Sequence, residues 1–100
     1  MNTTIKEQNG ELVALFNGRL DTPAAPQTEK DIQPLLAAEG KNIVLDCNAL
    51  VYISSSGLRL FLTILKSAKP KGSHVYITGM NNDIRNVFSM TGFTNLFEFR

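Results

Sequence analysis

The sequence predicts an α/β domain: a mixed, mostly parallel sheet of four to five strands with helices packed against it, in the order β-β-α-β-α-β-α-(β). Three observations predict it. Asn9-Gly10 separates two strand-like runs and supplies both positive-φ positions of a two-residue hairpin turn. Short β-branched runs, Ile43-Val44-Leu45 and Val75-Tyr76-Ile77, alternate with segments whose apolar residues recur at helical spacing. Asn9-Gly10, Gly40, Lys69-Pro70-Lys71-Gly72 and Gly92 punctuate these segments. Strand–helix–strand units with right-handed crossovers assemble into such a sheet, and binding sites then collect outside the carboxyl ends of the strands.

The first strand is Ile5–Gln8 and the second Leu12–Phe16, apolar at five successive positions, which predicts cover on both its faces. Thr22 is placed to cap a helix with Pro23 at its first position, running to about Ala38 and stopped by Gly40. Ile32, Leu35 and Leu36 give that helix an apolar face, while Pro26 and Pro34 argue against its regularity. Asn42–Cys47 reads as a buried strand ending near Asp46. Leu50–Ile53 then leads into Ser54-Ser55-Ser56-Gly57. From there Leu58, Phe61, Leu62, Leu65 and Ala68 repeat at helical spacing until Lys69-Pro70-Lys71-Gly72 ends the helix. Val75–Thr78 is a further strand. Asn81 or Asn82 can cap a third helix with Ile84, Val87 and Phe88 inward. Gly92 fits the left-handed position after it, with Phe93 packing back near Phe88. Leu96–Phe99 can add a short last strand.

Composition excludes several function classes. With 43% hydrophobic and 19% charged residues over 100 positions, the chain can bury a real core as one domain, residues 1–100. A formal net charge of +1 gives no reason to expect direct nucleic-acid binding. No apolar run approaches the roughly 20 residues of a membrane helix, and Met1–Lys6 lacks a signal-peptide core, so membrane insertion is not expected and a cytoplasmic location is. The single Cys47 cannot form an internal disulfide and is expected to be a buried structural thiol. With the single His74 it does not make a zinc site, and no cofactor is expected. A serine hydrolase would need a histidine base and an orienting acid near its serine. His74 sits before a strand, at the end of the sheet opposite Ser55, and no Gly-Lys-Ser/Thr phosphate loop occurs. The expectation is a protein that binds and does not catalyse.

The serine cluster is where chemistry can occur. The first turn of a helix carries unsatisfied N–H groups and about half a positive elementary charge. A serine there can cap the helix, and a phosphate placed on it can be received by the same N–H groups. Ser54, Ser55 and Ser56 together exceed what one cap needs, yet the tetrapeptide alone is compatible with capping and with regulation. Gly57 removes a side chain beside these hydroxyls and is expected to keep the approach to them open.

Asp46-Cys47-Asn48-Ala49-Leu50-Val51-Tyr52-Ile53-Ser54-Ser55-Ser56-Gly57-Leu58-Arg59 resembles the signature of the STAS domain, the domain of sulfate transporters and anti-sigma factor antagonists. Gly18-Arg19-Leu20-Asp21 is similar to the family's upstream Gly-x-Leu-Asp element, and Val87–Phe93 to its closing segment. The three matches occur in the expected order across residues 18 to 93. The resemblance implies a STAS-like single domain and an anti-sigma factor antagonist. Such an antagonist binds an anti-sigma factor with serine kinase activity and so releases a sigma factor. Phosphorylation by that kinase breaks the complex, and a serine phosphatase reverses it. Aligned on Gly57, the implied acceptor is Ser55, with Ser54 and Ser56 as neighbours. The chain departs from the pattern at Ser54, where many phosphorylated members have aspartate.

The resemblance also puts Asp21 beside the serine loop, where its carboxylate can accept from a serine hydroxyl or can simply cap the first helix. Asp46 can orient the loop or be a turn residue. Leu60, between Leu58 and Phe61, is expected to lie exposed with Thr63 as a hydrophobic anchor for the partner, and Arg59 to lie on the same exposed side. The rival reading keeps the fold and changes the role. It makes the chain a small STAS subunit docked on a membrane transporter or signalling complex, without phosphorylation.

Overall fold

A computed structural model describes all of residues 1–100. Its sheet holds β1 (Asn2–Gln8), β2 (Glu11–Leu20), β3 (Ile43–Ile53), β4 (Val75–Thr78) and β5 (Glu98–Phe99), paired in that order. β1 and β2 are antiparallel and every other neighbour is parallel. The hairpin turn takes the anticipated form, with φ of 53° at Asn9 and 78° at Gly10. Helices α1 (Ala25–Asp31), α2 (Gln33–Ala37), α3 (Ser55–Ala68) and α4 (Asn82–Met90) fill the connections. Ser55–Ala68 ends in a short 3₁₀ turn at Lys69–Lys71 and a left-handed Gly72, as the Lys-Pro-Lys-Gly stop implies. At α4 the side chain of Asn81 accepts from the Ile84 N–H, Gly92 is left-handed at φ 77°, and Phe93 meets Phe88 edge-on at 6.1 Å.

The expected first helix is two helices. Asp21, not Thr22, caps the turn: its Oδ1 accepts from the Ala24 N–H at 3.0 Å, and regular helix begins only at Ala25. Pro34 has no N–H to continue the ladder, so the chain breaks at Ile32 and restarts with Pro34 in the first turn of α2. The last strand is also shorter than expected, because Phe93–Asn95 forms a 3₁₀ turn and only Glu98–Phe99 pairs with β4.

A sheet whose strand order follows the chain, joined by right-handed crossovers, carries its helices on one face. Burial agrees. Ala14, Phe16, Ile43, Leu45, Cys47, Val75 and Ile77 are buried on the helix side, while Leu15, Asp46, Tyr76 and Thr78 on the other side are only partly covered. The expectation that both faces of β2 are covered is therefore met only in part: on the open face Val13 is buried, but Leu15 stays half-buried because no helix packs over it. Burial pushes the Cys47 thiol up to about 12, with the Asp46 carboxylate adding to the effect, so it is a packed, unreactive thiol.

Arg100 crosses this open face. Its guanidinium lies 3.8 Å over the Tyr76 ring and donates two bonds to Glu11, at 3.0 and 2.8 Å. Those bonds hold the Glu11 carboxyl below its ordinary 4.5, against a smaller opposing effect of burial. A carboxyl whose folded value is depressed stabilises the fold above its unfolded value and loses that stabilisation as pH falls through the folded one. Arg100→Ala should therefore lower stability at pH 7, and urea melts should show the gap to the natural chain closing as the pH drops below about 4.5.

Candidate functional site

The serine loop joins the carboxyl end of β3 to α3. β3 places it by running on past β4, whose last residue Thr78 pairs with Asp46. β2 follows β3 to the end, Leu20 opposite Ile53, and the Ser54 N–H donates to the Leu20 carbonyl at 2.9 Å. Two register shifts, each adding a residue on the β3 side, lie between Asp46 and Ala49 and between Leu50 and Tyr52. Each extra residue turns the following side chains over. Leu50 and Ile53 consequently point into the core, and Val51 and Tyr52 point out, 56% and 40% exposed.

The three serines have three different surroundings. Ser54 is the N-cap: its backbone is extended, its Oγ accepts from the Gly57 N–H at 3.3 Å, and it is buried. Ser55 is the first helical residue and is exposed, and no side-chain bond ties its hydroxyl to the rest of the chain. Ser56 is half-buried. Capping and exposure thus fall to different residues. Aspartate is as good an N-cap as serine, so Ser54 caps α3 without placing a carboxylate beside Ser55.

Asp21 follows Leu20 and so lies beside this loop, but its side chain bonds to the Ala24 N–H, not to a serine. Asp46 is not at the loop. It sits mid-strand, seven residues before Ile53 and about 20 Å away at the rise of an extended strand, and its Oδ1 accepts from the N–H and the side-chain amide of Asn48. The run Asp46–Asn48 does not end the strand because β2 goes on pairing with β3 beyond the first bulge.

Gly57 does not open the surface; it lets the helix approach the sheet. A Cβ there would fall 2.7 Å from Leu20 Cγ and 2.8 Å from Ile53 Cγ1, both in the core. Gly57→Ala gains up to about 1 kcal/mol of helix propensity but overpacks a closed contact, which costs roughly 1–3 kcal/mol. The packing term wins, and thermal melting should show a lower midpoint.

Leu60 is a second correction. It is 8% exposed and belongs to the core, not to an outward face. The buried face of α3 takes in Gly57, Leu58, Leu60, Phe61, Ile64, Leu65 and Ala68, because the helix packs on the sheet and also against α1 and α2. Ser55, Arg59 and Thr63 remain exposed, four residues apart each time. The exposed apolar surface nearest the serines was not foreseen. It is Val51 and Tyr52, with Arg19 4.4 Å above the Tyr52 ring, bordering a hollow of about 190 Å³ also lined by Asp83, Ile84 and Val87. Only the overhang of β3 past β4 uncovers it, which no local pattern reveals.

His74 lies at the other end of the sheet, its Nδ1 2.6 Å from Glu98 Oε2. No helix is long and apolar enough to cross a membrane.

The family model of the STAS domain matches residues 2–100, nearly the whole chain. The chain belongs to the STAS domain family. Among the relatives of this STAS domain, the anti-sigma-B factor antagonist of Listeria monocytogenes is 25% identical over 97 residues, covering 96% of this chain and 85% of that one. Its fold is shared by the crystal structure of an anti-sigma factor antagonist from Mycobacterium paratuberculosis, at a TM-score of 0.88 and 20% identity over 98% of this chain and 83% of that one. It is also shared by the Bacillus cell fate determinant SpoIIAA in its phosphorylated form, at 0.73 and 18% over 99% and 91%. The STAS antagonists are regulators, not enzymes, and the Listeria relative's name makes an anti-sigma factor the target of that protein.

Proposed function

We propose that this chain is a phosphorylation-gated anti-sigma factor antagonist. Unmodified, it binds an anti-sigma factor that is also a serine kinase and so frees a sigma factor. The kinase transfers the γ-phosphoryl group of ATP to Ser55 Oγ, which loses its proton as ADP departs, and the complex dissociates. A serine phosphatase hydrolyses the phosphoester and restores binding. The reading rests on one observation above all: Ser55 is exposed in the first turn of a 14-residue helix and has no structural role, because Ser54 provides the cap. A phosphate can be added there without dismantling the fold. The relatives named as anti-sigma factor antagonists support the partner class, and the exposed Val51–Tyr52 pair, within four residues of Ser55, offers that partner apolar contact.

The test is phosphopeptide mapping after incubation with ATP and the anti-sigma factor kinase that co-purifies from the source cell. Modification should fall on Ser55 and vanish in Ser55→Ala, while Ser54→Ala loses about 1 kcal/mol of stability as a removed cap. Phosphorylation at the natural rate in Ser55→Ala would overturn the assignment.

A further inference from the structure

We propose that Arg59 is an internal clasp for the phosphate on Ser55, a residue that positions the modified group without taking part in its transfer. The inference rests on the reading of Ser55 as the acceptor and adds to it a regulatory residue. Ser55 and Arg59 are both exposed and lie four residues apart on α3, flanked by the buried Leu58 and Leu60. Side chains at this spacing share a helix face about 5–6 Å apart, and each leans toward the helix N-terminus, which sets Arg59 within reach of a phosphate on Ser55.

Arg59 is free to do so. The ion pairs Lys41–Glu7 and Arg100–Glu11 and the hydrogen bond between His74 and Glu98 all leave Arg59 out. α3 contains no acidic residue, so no carboxylate on the helix competes for the guanidinium. The Gly57 N–H is already engaged by Ser54 Oγ, which reduces what the backbone alone can offer a phosphate. A guanidinium presents paired N–H donors that match two phosphate oxygens, which a single amide cannot do. Held this way, the phosphate lies along the exposed stripe that Ser55, Arg59 and Thr63 form on the helix.

Phosphoserine installed at position 55 during translation or by semisynthesis tests the clasp without any kinase. The second ionisation of the phosphate, followed by phosphorus NMR, should occur about a third of a unit lower in the natural sequence than in Arg59→Gln. Arg59→Lys should fall between them, and 1 M salt should erase most of the difference. Arg59 is exposed, so the variants should fold, as circular dichroism checks. Equal ionisation in the natural sequence and Arg59→Gln overturns the clasp alone and leaves the Ser55 switch standing. A kinase that leaves Ser55 unmodified overturns both, because no phosphate would then be present to clasp.

Discussion

Phosphorylation of Ser55 is expected to weaken binding of the anti-sigma factor by more than about a hundredfold while the domain stays folded. Two physical terms act on different equilibria. In the free domain the phosphate adds roughly −1.5 to −2 charges at a helix N-terminus, where the macrodipole favours negative charge. Ser55 caps nothing and is exposed, so no internal bond is lost. In the complex, a partner pressed over the same turn must strip water from the phosphate. Leaving it unpaired at a cost of about 3 kcal/mol reduces affinity more than a hundredfold. Ser55→Glu carries less charge and should give a partial effect. Titration of the modified and unmodified domains with the partner, alongside thermal melts, separates the two terms. A loss of stability in step with the loss of binding would make Ser55 a structural residue and sink the switch.

Leu60→Asp is expected to unfold the domain rather than blunt an interface. Removing a buried leucine side chain costs about 2–5 kcal/mol before any charge is considered. An ionised carboxylate at a site only 8% exposed adds a further penalty, since the core around it supplies no cation. The total approaches the roughly 5–15 kcal/mol that holds a domain of this kind together. Circular dichroism should show lost helix at 25 °C, and Leu60→Ala should remain folded with a melting point well below that of the natural chain. A cooperative, native-like melt for Leu60→Asp with lost partner binding would return Leu60 to the surface.

Much of the fold is legible in the chain because its signals are local. Asn9-Gly10 makes the hairpin by its own φ preferences, Asn81 caps α4 through a bond three residues long, and Gly92 ends it by adopting a conformation that costs other residues more. The order of elements follows from two periodicities read along the chain, and the location of the site follows from that order. The serine cluster at a helix start is visible for the same reason.

What each residue of that site does was decided by the tertiary structure. Ser54 and Ser55 are identical in type and adjacent, and only the bond from Gly57 and the pairing of Ser54 with Leu20 separate the cap from the exposed hydroxyl. Leu60 cannot be placed from helical spacing, because the width of a buried face depends on how many neighbours a helix has, and α1 and α2 are distant in sequence. Gly57 is required by Leu20, thirty-seven residues earlier. Asp46 is removed from the site by the bulges that keep β3 running, and Val51 and Tyr52 are uncovered because β4 stops short. Periodicity and capping act over three or four residues and are written in the sequence itself. Burial and exposure are set by which distant surfaces meet, and exist only once the sheet and its helices have assembled.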